Sequence, residues 1–446
     1  MLSLYRKPPE LAKRSYLHDI ASVFSSNVFS LITNLLLVVI LSRVLGPEYY
    51  GLYTAILVVP MLVISFFQMG IKASTVYMIG SGKEDDNIIV SAVLTVLIFT
   101  SLFGIIFSGA AYSIVSTEGY TLLLMGLALL TIPMRLATIY AGGIFLGKEE
   151  IGSANLMNWL TGLLMLLFAA IFVWILKWGL KGALLSLLFS NTVVALLAVY
   201  KLSRRYEIKI TVRNPIISSL IKIGVVYALS FLVIQLNYRL DVLLLKALST
   251  PAEVGIYSLG VSVAELLWQV PLAISIVVMS RSANSTDLEA TNRSTARLLR
   301  ISLVLGIAIS FFIVILSPLI IPLVFGEEFR SSILVMQTIL PGILMVIVFR
   351  ILSGQLSGMG RPEVALKAFV PALVLNIVLN YLLIPTYGAL GSVMATNISY
   401  TIGSVSYLIA YSRISGMPVK EILRFSKEDW GFIKRIRDRF HLEKNK

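Results

Sequence analysis

Residues 20–41, IASVFSSNVFSLITNLLLVVIL, pass without one charged side chain. At about 1.5 Å per residue, a helix of this length crosses a hydrocarbon layer of roughly 30 Å. Charges crowd the first nineteen positions, and the apolar run is longer than the core of a cleavable leader, so it is expected to stay as a helix. Similar runs recur along the chain. They predict twelve spanning helices, at 20–41, 52–79, 88–114, 121–146, 151–176, 180–201, 218–247, 255–280, 295–317, 331–357, 364–384 and 388–411. The runs are long and do not alternate, which excludes a β-barrel. The fold class expected is an all-α membrane protein.

Composition agrees. Of 446 residues, 57% are hydrophobic and 13% charged, about half the charge of a soluble domain. Mean hydropathy is +0.90. So few charges cannot cover that much apolar surface in water, and the bilayer must be the solvent. There is no cysteine, which removes disulfides and thiolate sites. The two histidines, His18 and His441, lie outside the apolar runs.

The net charge of +14 is explained by topology. With the N-terminus inside, 27 of the 37 Lys and Arg fall on the cytoplasmic side, whereas only Arg43, Lys177, Lys181, Lys246 and Arg330 fall outside. Both termini are therefore expected in the cytoplasm of a cell (inner) membrane protein. The remaining attraction is to anionic lipid headgroups, and nucleic acid is not needed as a partner.

The longest inner loop divides the chain. The expected order is a 1–19 tail, a six-helix half at 20–201, a link at 202–217, a second half at 218–411, and a basic tail at 412–446. The halves echo each other. Arg43-Val-Leu-Gly-Pro-Glu-Tyr-Tyr-Gly-Leu-Tyr53 follows helix one, and Lys246-Ala-Leu-Ser-Thr-Pro-Ala-Glu-Val-Gly-Ile-Tyr257 follows helix seven. Helices four and ten each hold a proline (Pro133, Pro341) and an arginine (Arg135, Arg350) before a Gly-cation pair, Gly147-Lys148 and Gly360-Arg361. Such repeats predict a pseudo-two-fold along the membrane normal with a substrate site between the halves. For the tail from Lys420 to Phe440 two readings stand: an amphipathic helix on the inner leaflet, or a solvated segment.

Enzymatic readings fail. Gly142 to Glu149 nearly matches a phosphate loop, but Glu149 stands where a hydroxyl should bind Mg²⁺ and no strand precedes it. No metal-ligand spacing occurs, no cofactor is implied, and no outer loop is long enough for a catalytic domain. Transport remains. Its candidate residues are the charges inside helices, which are costly in lipid and tend to face a cavity or a partner. Lys72, Arg135, Arg239 and Arg350 form the expected cationic cavity. A guanidinium fork fits phosphate oxygens, and Arg135 and Arg350 are read as equivalent groups on equivalent helices. The competing reading is an internal salt bridge, for example Arg350 to Glu265. Glu265 is a candidate protonatable group. Asp241 either couples an ion or anchors the outer end of helix seven. Arg239 and Asp241, two apart, lie on different faces and should not pair. Lys222 and Lys246 are close enough to helix ends to snorkel.

These motifs resemble the polysaccharide (oligosaccharide-lipid) flippases of the multidrug/oligosaccharidyl-lipid/polysaccharide exporter superfamily. The segment Arg43–Tyr53 is similar to the opening signature, marking Arg43, Gly46, Pro47, Glu48 and Gly51, and Asp241 to Tyr257 resembles the start of the second half. Pro322-Leu-Val-Phe-Gly-Glu-Glu-Phe329 and Leu356-Ser-Gly-Met-Gly-Arg361 match in order. The resemblance implies a two-lobed fold and a non-enzymatic flippase for polyprenyl-pyrophosphate-linked sugars working by alternating access. Its partners would be a lipid-linked glycan, membrane lipids and polysaccharide assembly enzymes. A multidrug antiporter would share the fold but needs acidic cavity residues, and the first half has no Asp or Glu inside a helix. A membrane glycosyltransferase would need an acidic site such as Glu48, Glu327 or Glu328.

Overall fold

The computed structural model describes residues 11–68, 70–81, 84–115, 117–148, 150–207, 214–284, 287–425 and 429. The described residues are helical nearly throughout. In order the helices are α1 (Leu11–Phe67), α2 (Ile71–Ser81), α3 (Asp86–Tyr112), α4 (Leu122–Gly147), α5 (Ile151–Ala169), α6 (Gly179–Ser203) and α7 (Asn214–Leu248). They continue with α8 (Pro251–Ala264), α9 (Gln269–Asn284), α10 (Leu288–Phe325), α11 (Ser332–Gly358), α12 (Glu363–Ser415) and α13 (Val419–Leu423). Among the described residues, ten helical stretches are long and apolar enough to span a membrane. The chain is a multi-pass protein of the cell membrane.

Several helices begin where a side chain serves the exposed N–H groups of the first turn, although α5, α6, α11 and α12 have no such cap. Asp85 accepts from Asn87 N (2.8 Å), Thr121 from Leu124 N (3.3 Å), and Asp287 from Ala290 N (2.9 Å). Two helices are far too long for one crossing. α1 has 57 residues and α12 has 53, each about 80 Å or more if straight. Both are broken by one glycine. Gly46 has φ 66° and ψ 176°, and Gly388 has φ 54° and ψ −131°, conformations that a side chain strongly disfavours. Pro47 follows Gly46 directly, and proline suits the first position of a new helix. The signature from Arg43 to Gly51 is thus a scaffold element, with Gly51 buried and Glu48 exposed.

The expected second helix, 52–79, is corrected. It ends at Phe67, turns at Gly70 (φ 60°) and restarts as α2. The end at Phe67 is served by Tyr140, whose hydroxyl donates to the Phe67 carbonyl (2.8 Å). Helix nine, expected at 295–317, extends over 288–325.

The chain divides into two compact units, Met1–Leu232 and Val233–Lys446. The division falls inside α7. In the first unit, Val63, Ile89, Val93, Ile132, Leu136 and Val194 belong to one buried apolar cluster. In the second unit α11 is the axle, packed against α8, α9, α10 and α12. Pro341 in α11 cannot donate a backbone hydrogen bond, and the next turn is repaired from outside. The Asn397 side chain accepts from Gly342 N (2.9 Å) and donates to the Thr338 carbonyl (2.6 Å), so one amide bridges the opened 342→338 bond. The α10 face bearing Phe311, Phe312, Ile315, Leu319 and Leu323 is exposed, as a lipid-facing surface should be.

Of the basic tail, residues 426–428 and 430–446 lie outside the described residues, as does the N-terminal segment 1–10. The described part is held firmly. Arg300 grips the Asp429 carboxylate with Nε and Nη2 (both 2.9 Å), and its Nη1 donates to the carbonyls of Glu421 and Ile422 (both 3.1 Å). Asp429 is fully buried.

Candidate functional site

In the first unit, two cations stand on adjacent helices. Arg135 is on α4, about 18 Å from that helix's C-terminal end at Gly147, and Lys72 is in the first turn of α2. α2 can approach α4 because Gly143 has no side chain: a Cβ there would come within 3.0 Å of the Lys72 backbone. A turn later, a Cβ at Gly147 would meet Ile79 at 2.9 Å. Arg135 and Lys72 are both exposed, and their charges are close enough to repel. Neither has a carboxylate partner among the described residues. Lys72 therefore belongs to the restart of a broken helix rather than to a continuous span.

In the second unit the charges are paired. Arg239 of α7 donates from Nη2 to Glu265 Oε2 at 2.9 Å. Glu265 opens a 3₁₀ turn, Glu265–Trp268, set between α8 and α9. The Arg350 guanidinium of α11 lies over the rings of Trp268 (4.6 Å) and Tyr238 (5.5 Å), a cation–π arrangement. Trp268 Nε1 donates to the Ile343 carbonyl (3.3 Å), and Tyr238, Trp268 and Tyr400 pack together. Three buried atoms of this cluster, Glu265 Oε1, Arg350 Nε and Tyr238 Oη, have no hydrogen-bond partner among the described residues. The ion pair expected between Arg350 and Glu265 is formed by Arg239 instead. Glu265 is not a lone carboxyl.

Asp241 is buried beside this cluster. It accepts from the Tyr257 hydroxyl, from the Thr396 hydroxyl (3.2 Å) and from Val242 N (2.8 Å). It does not pair with Arg239, as their spacing predicts. Farther along, Ser392 donates to Asn380 Oδ1 (2.8 Å), and Asn380 Nδ2 donates to the Asn376 carbonyl (2.9 Å). Lys246 is buried, and the Lys222 side chain lies outside the described residues.

The contact glycines do not put Arg135 and Arg350 at the same distance along their helices. The glycines give the register. In α4, Gly143 and Gly147 meet α2; in α11, Gly354 meets the Ser275 carbonyl of α9, and Gly358 meets Met279 and Ser282. Arg135 stands eight residues before Gly143, but Arg350 stands only four before Gly354. Counted from those glycines, the position of Arg350 matches that of Ile139, and Lys72 matches Ser275. The two arginines differ by one helical turn, about 6 Å.

Sequence reasoning missed Trp268, Tyr238, Tyr257 and Thr396. Tyr257 closes the Gly-Ile-Tyr echo, and Trp268 follows an intramembrane acid by three residues, so both carried a weak signal.

An all-helical scaffold with broken helices and ionisable groups inside its apolar stretches fits a membrane transporter. Comparison with solved structures gives the fold. The chain resembles the lipid II flippase MurJ in an inward closed conformation, with a TM-score of 0.74 at 15% identity over 93% of this chain and 92% of that one. It also resembles an inward-facing multidrug resistance MATE transporter of the MOP superfamily (TM-score 0.70, 19% identity, 87% and 95% covered).

The family follows from the sequence profile described as Polysaccharide biosynthesis protein, which matches residues 16–280, more than half of the chain. The chain belongs to that family. The MatE profile matches residues 227–382. Among curated proteins, the capsular polysaccharide biosynthesis protein CapF of Staphylococcus aureus is 23% identical over 88% of this chain and 98% of its own length. The probable low-salt glycan biosynthesis flippase Agl15 of Haloferax volcanii is 25% identical over 37% of this chain and 36% of its own.

Proposed function

We propose that the protein is a flippase that moves polyprenyl-pyrophosphate-linked oligosaccharide across the cell membrane by alternating access, for cell-surface polysaccharide synthesis. One observation carries the reading: Lys72 and Arg135 stand exposed and without a carboxylate partner among the described residues, inside a unit whose helices carry no acid in their membrane interior. A diphosphate brings the missing negative charge, and charge-assisted hydrogen bonds to it are strong where water is scarce. Family membership and the flippase and capsule names of the relatives support the same substrate class. Within the second unit, Arg239 and Arg350, whose charges are balanced or shielded there, are the further candidate anion ligands.

The reading includes twelve crossings, counting α1 and α12 as two each, with both termini in the cytoplasm. It also includes the halves 20–201 and 218–411 joined by 202–217. Asp241, satisfied by hydroxyls rather than by a cation, is the residue proposed for ion coupling. Polysaccharide assembly enzymes are the expected protein partners. A drug antiporter for organic cations is less favoured, because the first unit offers cations where such a ligand needs an acid.

The test is translocation in proteoliposomes of a fluorescent polyprenyl-pyrophosphate oligosaccharide, with a cationic dye in parallel. Movement of the lipid-linked sugar alone is the expected result. Ion-driven efflux of the dye alone would replace the flippase reading with the antiporter.

A further inference from the structure

The second unit holds two arginines and one carboxylate around Tyr238, all close enough to influence it electrostatically. Their balance is unusual. Arg350 is held by aromatic faces, which stabilise a guanidinium without neutralising it. Arg239 is neutralised, by one oxygen of Glu265 at 2.9 Å. The pair is not sealed: the side chains are 29% and 14% exposed for Arg239 and Glu265. Nor is it saturated, since Glu265 Oε1 and Arg350 Nε are buried without partners. A bidentate fork would satisfy both carboxylate oxygens, and here only one is used.

A carboxylate and a phosphate oxygen ask the same of a guanidinium. We propose that Glu265 is a resident counter-anion occupying the place on Arg239 that a substrate phosphate would take, and that it sets how tightly the second unit holds an anion. The proposal rests on the flippase reading and deepens it. A diphosphate gains Arg239 only by displacing Glu265, and that exchange frees α7 from the 3₁₀ turn between α8 and α9. With Glu265 in place the second unit is a weak anion site that can release its ligand. Without it, Arg239 and Arg350 form a strong one. Glu265 is a positioning residue in this scheme, acting through Arg239. Its role is opposite to that of a proton carrier, because its charge must persist for the substrate to leave.

The probe is inorganic pyrophosphate, titrated calorimetrically into the full-length protein in detergent. Glu265→Gln keeps the side-chain shape and removes the charge, and it should bind pyrophosphate about tenfold tighter than wild type, a gain of about 1.4 kcal/mol. Glu265→Ser, smaller and equally neutral, should show the same gain, so a misfolded Gln variant leaves the question answerable. Glu265→Asp keeps the charge and should stay near wild type. Adding Arg239→Gln to Glu265→Gln should abolish the gain. Equal or weaker binding by both neutral variants, or a gain that survives loss of Arg239, overturns the proposal. Failure of the flippase reading looks different: wild type and Arg135→Gln would then bind pyrophosphate equally, whatever Glu265 does.

Discussion

The two units place their intramembrane charges in contrasting ways. The first leaves Lys72 and Arg135 exposed and repelling each other, whereas the second ties Arg239 to Glu265, covers Arg350 with aromatic rings and surrounds Asp241 with hydroxyls. The same contrast holds at the helix ends. The ion pairs Lys148–Asp86 and Arg205–Glu150 of the first unit are partly exposed, and Asp429 of the second is sealed against Arg300. The two units thus carry opposite electrostatics: one has cations without a carboxylate partner among the described residues, and the other already contains its own anion.

The contrast can be broken by experiment. The largest effect is expected from Lys72→Gln with Arg135→Gln. Loss of two charge-assisted contacts, each about 1.5–3 kcal/mol, should cut lipid-linked sugar translocation by about 100-fold or more while the protein stays in the membrane. Normal translocation would end the assignment of the first unit as the anion site.

Stability should respond in the reverse order. Arg239→Gln leaves a buried carboxylate uncompensated and should cost about 3 kcal/mol in detergent unfolding, most of it recovered in Arg239→Gln/Glu265→Gln. Arg135→Gln removes a cation with no carboxylate to abandon and should leave the melting temperature unchanged or higher. Similar losses in both units would erase the distinction.

A smaller effect separates the two broken helices. Gly388 faces Glu253, whose Oε2 accepts from Ala389 N (2.7 Å) and would lie 2.7 Å from an added Cβ. Gly388→Ala should cost about 2 kcal/mol through positive φ and this clash. Glu253→Gln should cost about 1 kcal/mol through the weakened cap. An unchanged melting temperature for Gly388→Ala would mean that the break relaxes freely.

The smallest is a pH effect where the C-terminal end of α4 meets the start of α3. The hydrogen bond from Lys148 to the Asp86 carboxylate holds the Lys148 ammonium above its ordinary value of 10.5. A raised value stabilises the folded form fully below the unfolded pKa, and the contribution is lost as pH rises through the folded one. Exposure limits it to under about 1 kcal/mol. Melting curves of wild type and Lys148→Gln should differ slightly at pH 9 and converge above pH 11.

Much of this was legible in the sequence because lipid leaves few options: a charge-free run of twenty residues can only be a helix. Lys72, Arg135, Arg239, Asp241, Glu265 and Arg350 stood out for the same reason. Their partners did not. That Arg239 rather than Arg350 holds Glu265 depends on the rotation of α7 against a 3₁₀ turn, which no periodicity encodes. The one-turn offset between Arg135 and Arg350, counted from the contact glycines, was hidden because shared residue types set no common register: Pro133 and Arg135 are two apart, Pro341 and Arg350 nine. The break at Gly70 was missed because Gln68-Met-Gly70 is apolar enough to continue a span.

Gly46 has a consequence for everything after it. If both dihedral angles there were helical, α1 would be a single rod and the chain would make one crossing fewer. On the topology proposed above, each later segment would then emerge on the opposite side, and the cluster from Lys201 to Arg213 would have to be pushed outward against the membrane potential. The insertion machinery would meet a parity error, with cations resisting at every following loop. Substitutions at Gly46 should therefore surface as inverted or degraded protein before any question of transport arises.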